Sequence, residues 1–454
     1  MSLSIIILAA GKGTRMYSDV PKVMFPLAGK PLLGHVLQTA AALNAQTTVV
    51  YGHGGEQVRA ALQGDHIRWV KQEPQLGTGH AVMQALPAVD PQNRVLILYG
   101  DVPLIKGSTL TQLAELGQGG LALLTAHLAN PQGYGRIIRD GNGAIRAIVE
   151  QKDANPEQAQ IKEINTGFLA APAHLLQSWL SRVGNHNAQG EYYLTDVVAE
   201  AVADGINVAS LQPDELEEVT GINDRLQLAQ LERYYQQTLA RNLLKTGTSI
   251  ADPARFDVRG ELSVGKDVFI DINVLFLGKV RLGDRVHIGP HVVIRDSDID
   301  HDVEILSHSV IDGARIGAHG RIGPFARLRP QTQLSEQVHI GNFVEIKKST
   351  LDRGSKVNHL SYVGDSVVGK NVNIGAGTIT CNYDGANKHQ TIIEDEVFVG
   401  SCTQLVAPLT LGKGATIGAG STITQDAPPG ELSLARTQQT TIKGWKRPVK
   451  KIKS

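Results

Sequence analysis

The chain has 454 residues, room for two or three domains of roughly 150 residues each and for cores that need no staples. Its 44 basic and 44 acidic side chains cancel, so no overall field favours nucleic acid or an anionic membrane, and any polyanion site must be local. Charged residues at 19% and hydrophobic ones at 42% exclude a disordered chain, while 48 glycines against 5% aromatics point to many repeated tight turns. Two cysteines, Cys381 and Cys402, exclude a disulfide framework and favour a reducing, cytoplasmic setting. No run approaches the ~18 apolar residues of a membrane span, so no membrane partner is expected.

The apolar stretch Leu3 to Ala10 has no basic residue before it and meets Gly-Lys-Gly-Thr-Arg at once, so it reads as a first strand and not as a signal segment. Up to residue 225, β-type runs such as TTVVYG, RVLILYGD and LALLTAHL alternate with helical stretches, which predicts a mostly parallel sheet covered by helices. Binding groups are then expected at strand C-terminal ends. Residues 226–247 form a connecting helix: Leu228, Leu231, Tyr235, Leu239 and Leu243 recur near 3.6 spacing, and Gly247 supplies a stop.

Residues 248–454 form the second domain, in which after Gly260 the period changes to six, with aliphatics at Val264, Ile270, Phe276, Leu282, Ile288 and Ile294 and onward to Ile423, apart from slips to five and a break between Thr380 and Ile392. Each hexapeptide supplies one short strand and a turn, and three make a triangular coil, so this half is a β-helix solenoid. The scaffold needs the repeat and nothing else, so chemistry is sought where it is interrupted, at Thr380 to Gln390. A strongly basic tail, Trp445 to Lys453, ends the chain.

Leu8-Ala9-Ala10-Gly11-Lys12-Gly13-Thr14-Arg15-Met16 follows the first strand as a glycine-rich turn able to bring backbone N–H groups to phosphates. It fits neither the Walker A spacing nor the dinucleotide fingerprint, whose third glycine is Met16 here. Followed by Pro21-Lys22, it resembles the signature of sugar-nucleotide pyrophosphorylases. In that reaction a sugar-phosphate oxygen attacks the α-phosphorus of a nucleotide and pyrophosphate leaves, so catalysis is mostly positioning and charge neutralisation. Arg15 would hold the triphosphate tail and Lys22 a phosphate near the reacting centre.

Asp101, directly after Val95 to Gly100, stands where a carboxylate can hold Mg²⁺. Asn223 is either the N-cap of the connecting helix or, as the resemblance implies, a second metal ligand. The resemblance further assigns Gln72, Gly77 and Thr78 to base reading, and Gly135, Glu150 and Asn165 to the sugar. Leu8, Ala9, Ala10, Gly11, Tyr99 and Gly100 complete its nucleotide-sugar set.

In the second half, hexapeptide β-helices resemble acyltransferases that use acetyl-CoA, usually as trimers. His359, among small and apolar neighbours, suits a general base for amine acylation, although His287, His291, His308, His319 and His339 occupy the same repeat. Arg329 and Lys347, about one coil apart from each other and from His359, suit an anionic sugar phosphate.

Together, the pyrophosphorylase signature, the connecting helix and the acyltransferase repeat resemble the bacterial bifunctional N-acetylglucosamine-1-phosphate uridyltransferase/glucosamine-1-phosphate N-acetyltransferase family over essentially the whole chain. The resemblance implies an α/β Rossmann-like nucleotidyltransferase domain followed by a left-handed parallel β-helix of hexapeptide repeats, working as a homotrimer. Its substrates would be sugar phosphates, UTP and acetyl-CoA, with Mg²⁺ as cofactor and the product feeding peptidoglycan and lipopolysaccharide synthesis. It makes His359 the base, puts Arg329, Lys347, Tyr362 and Asn373 on the acetyl acceptor, and puts Ala376, Asn382, Tyr383, Ser401, Ala419 and Arg436 around acetyl-CoA. Cys402 stands where Asp or Asn is expected, and Phe25 where His is common. The main rivals are a monofunctional nucleotidyltransferase with a regulatory β-helix, a non-catalytic assembly subunit and a metal-dependent β-helix hydratase.

Overall fold

The computed structural model describes residues 2–450 apart from positions 53 and 65, so the last four residues of the chain, three of them in the basic tail, lie outside it. The chain divides into two compact units, Met1–Tyr235 and Gln236–Ser454.

The first unit is built on a nine-stranded sheet. Its strands are β1 (Leu3–Ala9), β2 (Gln46–Tyr51), β3 (Ile67–Lys71), β4 (Arg94–Tyr99), β5 (Leu121–His127), β6 (Arg136–Arg139), β7 (Ile145–Val149), β8 (Glu163–Pro172) and β9 (Val208–Leu211). The order is β9-β5-β8-β4-β1-β2-β3, with the β6–β7 hairpin attached to β8. All pairings along the main path are parallel except those of β8, which runs antiparallel between β4 and β5. Helices cover both faces, which is why Ile5, Ile6 and Ile7 are all fully buried and the strand shows no alternation. Ile6, Ile97 and Leu123 face helices Thr78–Ala85 and Ala173–Leu180; Ile5, Ile7, Leu96 and Leu98 face helices Leu32–Ala41 and Gly107–Leu116.

The connecting helix spans Arg225–Lys245. Leu228, Leu231, Tyr234 and Tyr235 pack with Met16, Phe25, Leu27 and Leu32 in the first unit, whereas Leu239, Ala240 and Leu243 belong to the core of the second.

The second unit is a parallel β-helix. The inward aliphatics stack in register, Ile270 on Ile288, Ile305, Ile322, Ile340, Val357 and Ile374. Almost all are fully buried, so each coil covers the apolar face its neighbour cannot bury alone, and truncating one to alanine is expected to cost about 2–5 kcal/mol. Past Ile374 the ladder skips to Val399. The interruption is shorter than expected: Thr380 and Cys381 still belong to strand Ile379–Cys381, with Thr380 paired to Leu405 and buried, so the excursion starts at Asn382.

Coil corners adopt left-handed backbone, in columns that run along the solenoid. One column is Asn273, His291, His308, Phe325, Phe343, Leu360, Gly377, Cys402 and Gly420, all at φ between 48° and 75°. This explains the oddity at Cys402: Asn and Asp tolerate that conformation better than other L-residues, and cysteine occupies it here at φ 58°. The column changes character at Leu360, from large side chains to small ones.

Candidate active sites

Strands β1 and β4 are neighbours, with Leu8 paired to Tyr99, so the turn after β1 and the carboxylate after β4 open into one crevice at their C-terminal ends. A cleft of about 430 Å³ lies there. The structure brings Leu8, Ala9, Ala10, Gly11, Lys22, Gln72, Gly77, Thr78, Tyr99 and Asp101 into its walls. Lys12, from the glycine-rich turn, Gln75 and Glu191 also line it, and none of the three was given a role by the sequence. Gly100 is buried behind the wall, and Arg15 is exposed on the short helix Thr14–Met16, outside the lining set.

Two glycines are there for space. Gly13 sits at φ 60°, and a Cβ on it would meet the Lys22 Cβ at 2.6 Å, so glycine lets Lys22 close on the turn. Gly77, at φ 105°, passes the backbone carbonyl of Tyr192, which a Cβ would meet at 2.6 Å. Its own carbonyl accepts a 2.9 Å hydrogen bond from the buried amide of Gln72, and Thr78 Oγ1 accepts one from the Leu194 N–H at 3.1 Å. Gln72 and Thr78 thus hold the loop as well as line the cleft.

Lys22 Nζ donates to Asp101 Oδ2 and, at 3.4 Å, to Asn223 Oδ1. A carboxylate and an amide oxygen therefore converge on one cation position, now held by an ammonium, and this hard-oxygen pair suits a divalent ion of the Mg²⁺ or Ca²⁺ kind. Asn223 does not cap the helix: Asp224 Oδ1 accepts from the Gln227 N–H at 2.8 Å, which releases the Asn223 side chain to face Lys22.

Gly135, Glu150 and Asn165 form a second cluster beside Tyr99. The Asn165 N–H donates to the Gly135 carbonyl at 2.9 Å, and a Cβ on Gly135 would press on Glu150 Oε1 at 3.3 Å. Burial pushes the Glu150 carboxyl above its usual range, against a 3.1 Å hydrogen bond from Thr195 Oγ1 that favours the anion. Burial likewise raises the Tyr99 phenol, keeping it neutral.

In the second unit His359 ends strand Lys356–His359 one residue before the Leu360 corner, and is exposed. Its Nδ1 lies 2.9 Å from Asn342 Oδ1, one coil earlier. The residues that follow it at this corner step along the axis: the Gly377 N–H donates to the His359 carbonyl (3.3 Å), the Cys402 N–H to Ala376 (2.7 Å) and the Gly420 N–H to Ser401 (2.8 Å). His359, Ala376, Ser401 and Ala419 are therefore equivalent corner positions on four successive coils. Arg436 closes the line, its guanidinium donating to the Ala419 carbonyl at 2.7 Å.

Arg329 and Lys347 stack on each other, since Leu328 pairs with Ile346, but the next member of their column is Gly364 and not His359. The expected grouping with His359 is corrected accordingly: strand Tyr362–Gly364 lies between the His359 corner and the Asp365 corner, and the cations gather at the latter. There Lys347 and Lys348 stand 3.7 and 3.4 Å from Asp365, which also accepts a 2.5 Å hydrogen bond from Asn382 Nδ2. Arg329 pairs with Glu345 at 2.8 Å. Lys388, from the excursion, approaches closely enough for Lys347 to push its ammonium below the usual lysine range. Asn342 and Asp365 are functional candidates that the sequence left unmarked, because only the coil register places them, and Lys388 was marked only as part of the Thr380 to Gln390 interruption. Asn373 lies one coil past Lys356 on a different face, and Tyr383 is exposed on the excursion with its hydroxyl on the Gly385 carbonyl at 2.6 Å.

Residues 5–187 match the MobA-like NTP transferase domain family, and residues 262–296 the bacterial transferase hexapeptide repeat. The chain is 58% identical to the bifunctional protein GlmU of Nitrosospira multiformis, over 99% of each chain. It is 57% identical to that of Marinobacter nauticus and 55% to that of Herminiimonas arsenicoxydans, again over 99% of each chain. With two different candidate sites, one in each unit, and such identity from end to end, the chain belongs to the bifunctional GlmU family.

Proposed function

We propose that this chain makes UDP-N-acetylglucosamine in two steps, each in its own unit. It is an enzyme with acetyltransferase and uridyltransferase activities, and the observation that carries the reading is the coexistence of the Lys22, Asp101 and Asn223 cluster with a histidine heading a line of small corner residues.

The solenoid acts first. Acetyl-CoA lies along the corner from Arg436 past Ala419, Ser401 and Ala376, its thioester reaching His359, with Asn382 and Tyr383 beside it. At the strand spacing of about 4.8 Å the three steps from Ala419 to His359 span roughly 14 Å, a length suited to a pantetheine arm. Glucosamine 1-phosphate sits on the Tyr362 face, its phosphate against Arg329, Lys347 and Lys388 and its amine toward His359, with Asn373 at the margin. The amine nitrogen attacks the thioester carbonyl, a C–N bond forms, the C–S bond breaks and coenzyme A leaves as its thiolate. His359 Nε2 takes the amine proton.

The sheet domain then binds N-acetylglucosamine 1-phosphate and UTP. Gln72, Gly77 and Thr78 hold the uracil, and Leu8 to Gly11 bring the turn to ribose and phosphates. Glu150, Asn165 and Gly135 hold the sugar hydroxyls and acetamido group, with Tyr99 and Gly100 forming the floor. Arg15 and Lys22 neutralise the triphosphate as the sugar phosphate oxygen attacks the α-phosphorus and pyrophosphate leaves. Asp101 and Asn223 hold Mg²⁺, which when bound supplies charge neutralisation on the phosphates.

We place the enzyme in the cytoplasm, where these substrates meet; among the described residues no helix is long and apolar enough to cross a membrane. Phe325, Phe343 and Leu360, 46%, 56% and 63% exposed beside the His359 corner, support assembly as a homotrimer that covers them.

The test is a four-substrate assay that follows thiol and pyrophosphate release separately. Both signals are expected, with only thiol release lost in His359→Ala and only pyrophosphate release lost in Asp101→Ala. Pyrophosphate without thiol would reduce the solenoid to a regulatory scaffold.

A further inference from the structure

A different solenoid corner carries a cluster that neither reaction uses. Its left-handed column contains Arg285, Asp302 and His319 on consecutive coils, at φ 55° to 58°. His301 precedes Asp302, and the His319 N–H donates to its carbonyl at 3.1 Å, so the two histidines belong to adjacent coils. Their rings meet edge-on with centroids 5.3 Å apart. One donor atom each from His301, Asp302 and His319 falls within 4.8 Å of the others.

The hydrogen bonding around this cluster decides what it can hold. His301 Nδ1 lies 2.9 Å from Asp300 Oδ1. A carboxylate only accepts, so the ring proton sits on Nδ1 and the lone pair is left on Nε2. That Nε2 faces Asp302 Oδ2 at 4.0 Å, and His319 Nδ1 faces the same oxygen at 3.9 Å. Two imidazole nitrogens thus point at one carboxylate oxygen from beyond hydrogen-bond range, around a gap that a cation would fill. Arg285 fixes the carboxylate through two 2.7 Å hydrogen bonds, one to each oxygen. A histidine whose far nitrogen donates to a carboxylate, facing a second histidine and an oriented carboxylate, is the outer-shell arrangement that metal-ligating imidazoles adopt.

We propose that His301, Asp302 and His319 bind a borderline transition-metal dication of the zinc class, with Asp300 and Arg285 as the groups that orient the ligands. Donor separations in a tetrahedral zinc site are roughly 3.3 Å for bonds of about 2.0–2.1 Å. The three side chains, all partly exposed, close to that spacing by small rotations at the solenoid surface. The set of two imidazoles and one carboxylate leaves a coordination position to solvent. Because the histidines come from adjacent coils, the ion staples the stack. It is separate from the hard-oxygen pair at Asp101 and Asn223, which a histidine-preferring ion would not select.

The experiment is equilibrium dialysis of the full chain against zinc chloride in excess Mg²⁺, so that oxygen-only sites are occupied, with bound zinc measured by mass spectrometry. We expect about one zinc per chain, a loss of at least tenfold in affinity in His301→Ala and in His319→Ala, and retention in His308→Ala, which alters the other histidine column. Asp300→Asn should weaken binding by about 10–100-fold. Zinc should raise the melting temperature of the wild type and not of the two histidine variants, whose metal-free melting should stay close to the wild type because neither ring is buried. Zinc binding that is absent from the wild type, or equal in wild type, His301→Ala and His319→Ala, would overturn the proposal. So would an affinity untouched by Asp300→Asn.

Discussion

His359 and Asn342 occupy equivalent positions on successive coils, and their side chains meet at 2.9 Å between Nδ1 and Oδ1. An amide oxygen can only accept, so the contact places the imidazole proton on Nδ1 and keeps Nε2 as the basic nitrogen that faces outward. Asn342 touches no reacting atom in this reading; it positions the base.

Replacing Asn342 by leucine should therefore lower kcat for acetyl transfer by about tenfold, a part of the 10²–10⁴-fold that a general base contributes. The KM for acetyl-CoA and the release of pyrophosphate should stay at wild-type values. Asn342→Asp, which keeps the acceptor, should restore much of kcat. Equal losses in both variants would reduce the contact to a packing role.

Glu150 supplies a pH dependence in the other unit. Burial raises its carboxyl, so its contribution to stability is fully present below the ordinary carboxylate range and is lost as pH rises through the raised folded value. Glu150→Gln should melt above the wild type at neutral pH, with the gap closing as the solution is acidified through that window. Sugar binding should show the opposite preference, since in the proposed function the Glu150 anion accepts from sugar hydroxyls. The wild-type KM for N-acetylglucosamine 1-phosphate should rise on mild acidification, while that of Glu150→Gln, already high, should stay flat. Thermal melts and initial rates across the same buffers check both.

The solenoid was legible because its cause is local: an aliphatic every six residues is what each short strand must bury. Gly13 with Lys22, and Asp101 at the end of β4, could be read for a related reason, since a strand followed by a tight turn fixes where the next side chains emerge. Other features depended on register that no local pattern encodes. Nothing near Asn342 announces that it meets His359, and nothing in the excursion reveals that Lys388 comes back to Lys347. Asn223 was ambiguous because Asn and Asp cap helices equally well, and only the Asp224 hydrogen bond to Gln227 resolves which one does so. The grouping of Arg329 and Lys347 with His359 erred because a coil has three faces, and spacing of about one coil does not say which face a residue occupies.

Lys388 gives the third prediction. The neighbouring Lys347 pushes its ammonium below the usual lysine range, so two cations are held near each other with Asp365 as their counter-charge. A phosphate between them would relieve that repulsion. Lys388→Ala should then raise the KM for glucosamine 1-phosphate by about 10-fold, in line with a lost hydrogen bond to a charged group, and leave acetyl-CoA binding and pyrophosphate release alone. Lys388→Arg should recover most of the loss. An unchanged KM in Lys388→Ala would move the phosphate to Arg329 and Lys347 alone.

The last prediction concerns the corner itself. His291, His308, Phe325 and Phe343 stack with ring centroids 4.8, 4.8 and 5.3 Å apart, and the phenylalanines and Leu360 stay largely exposed right up to the coil of His359. Solvent is a poor partner for such an apolar column, whereas a second copy of the chain would bury it and wall the acetyl-CoA line at once. A charge placed there should separate the copies without touching the solenoid core, because the Phe343 side chain faces outward. Light scattering should find trimers for the wild type and monomers for Phe343→Asp. Thiol release should fall at least 100-fold, the loss expected when a site is completed only by its neighbour, while pyrophosphate release, confined to the sheet domain, should persist. A monomeric variant that still acetylated at the wild-type rate would show that each solenoid carries a complete site alone.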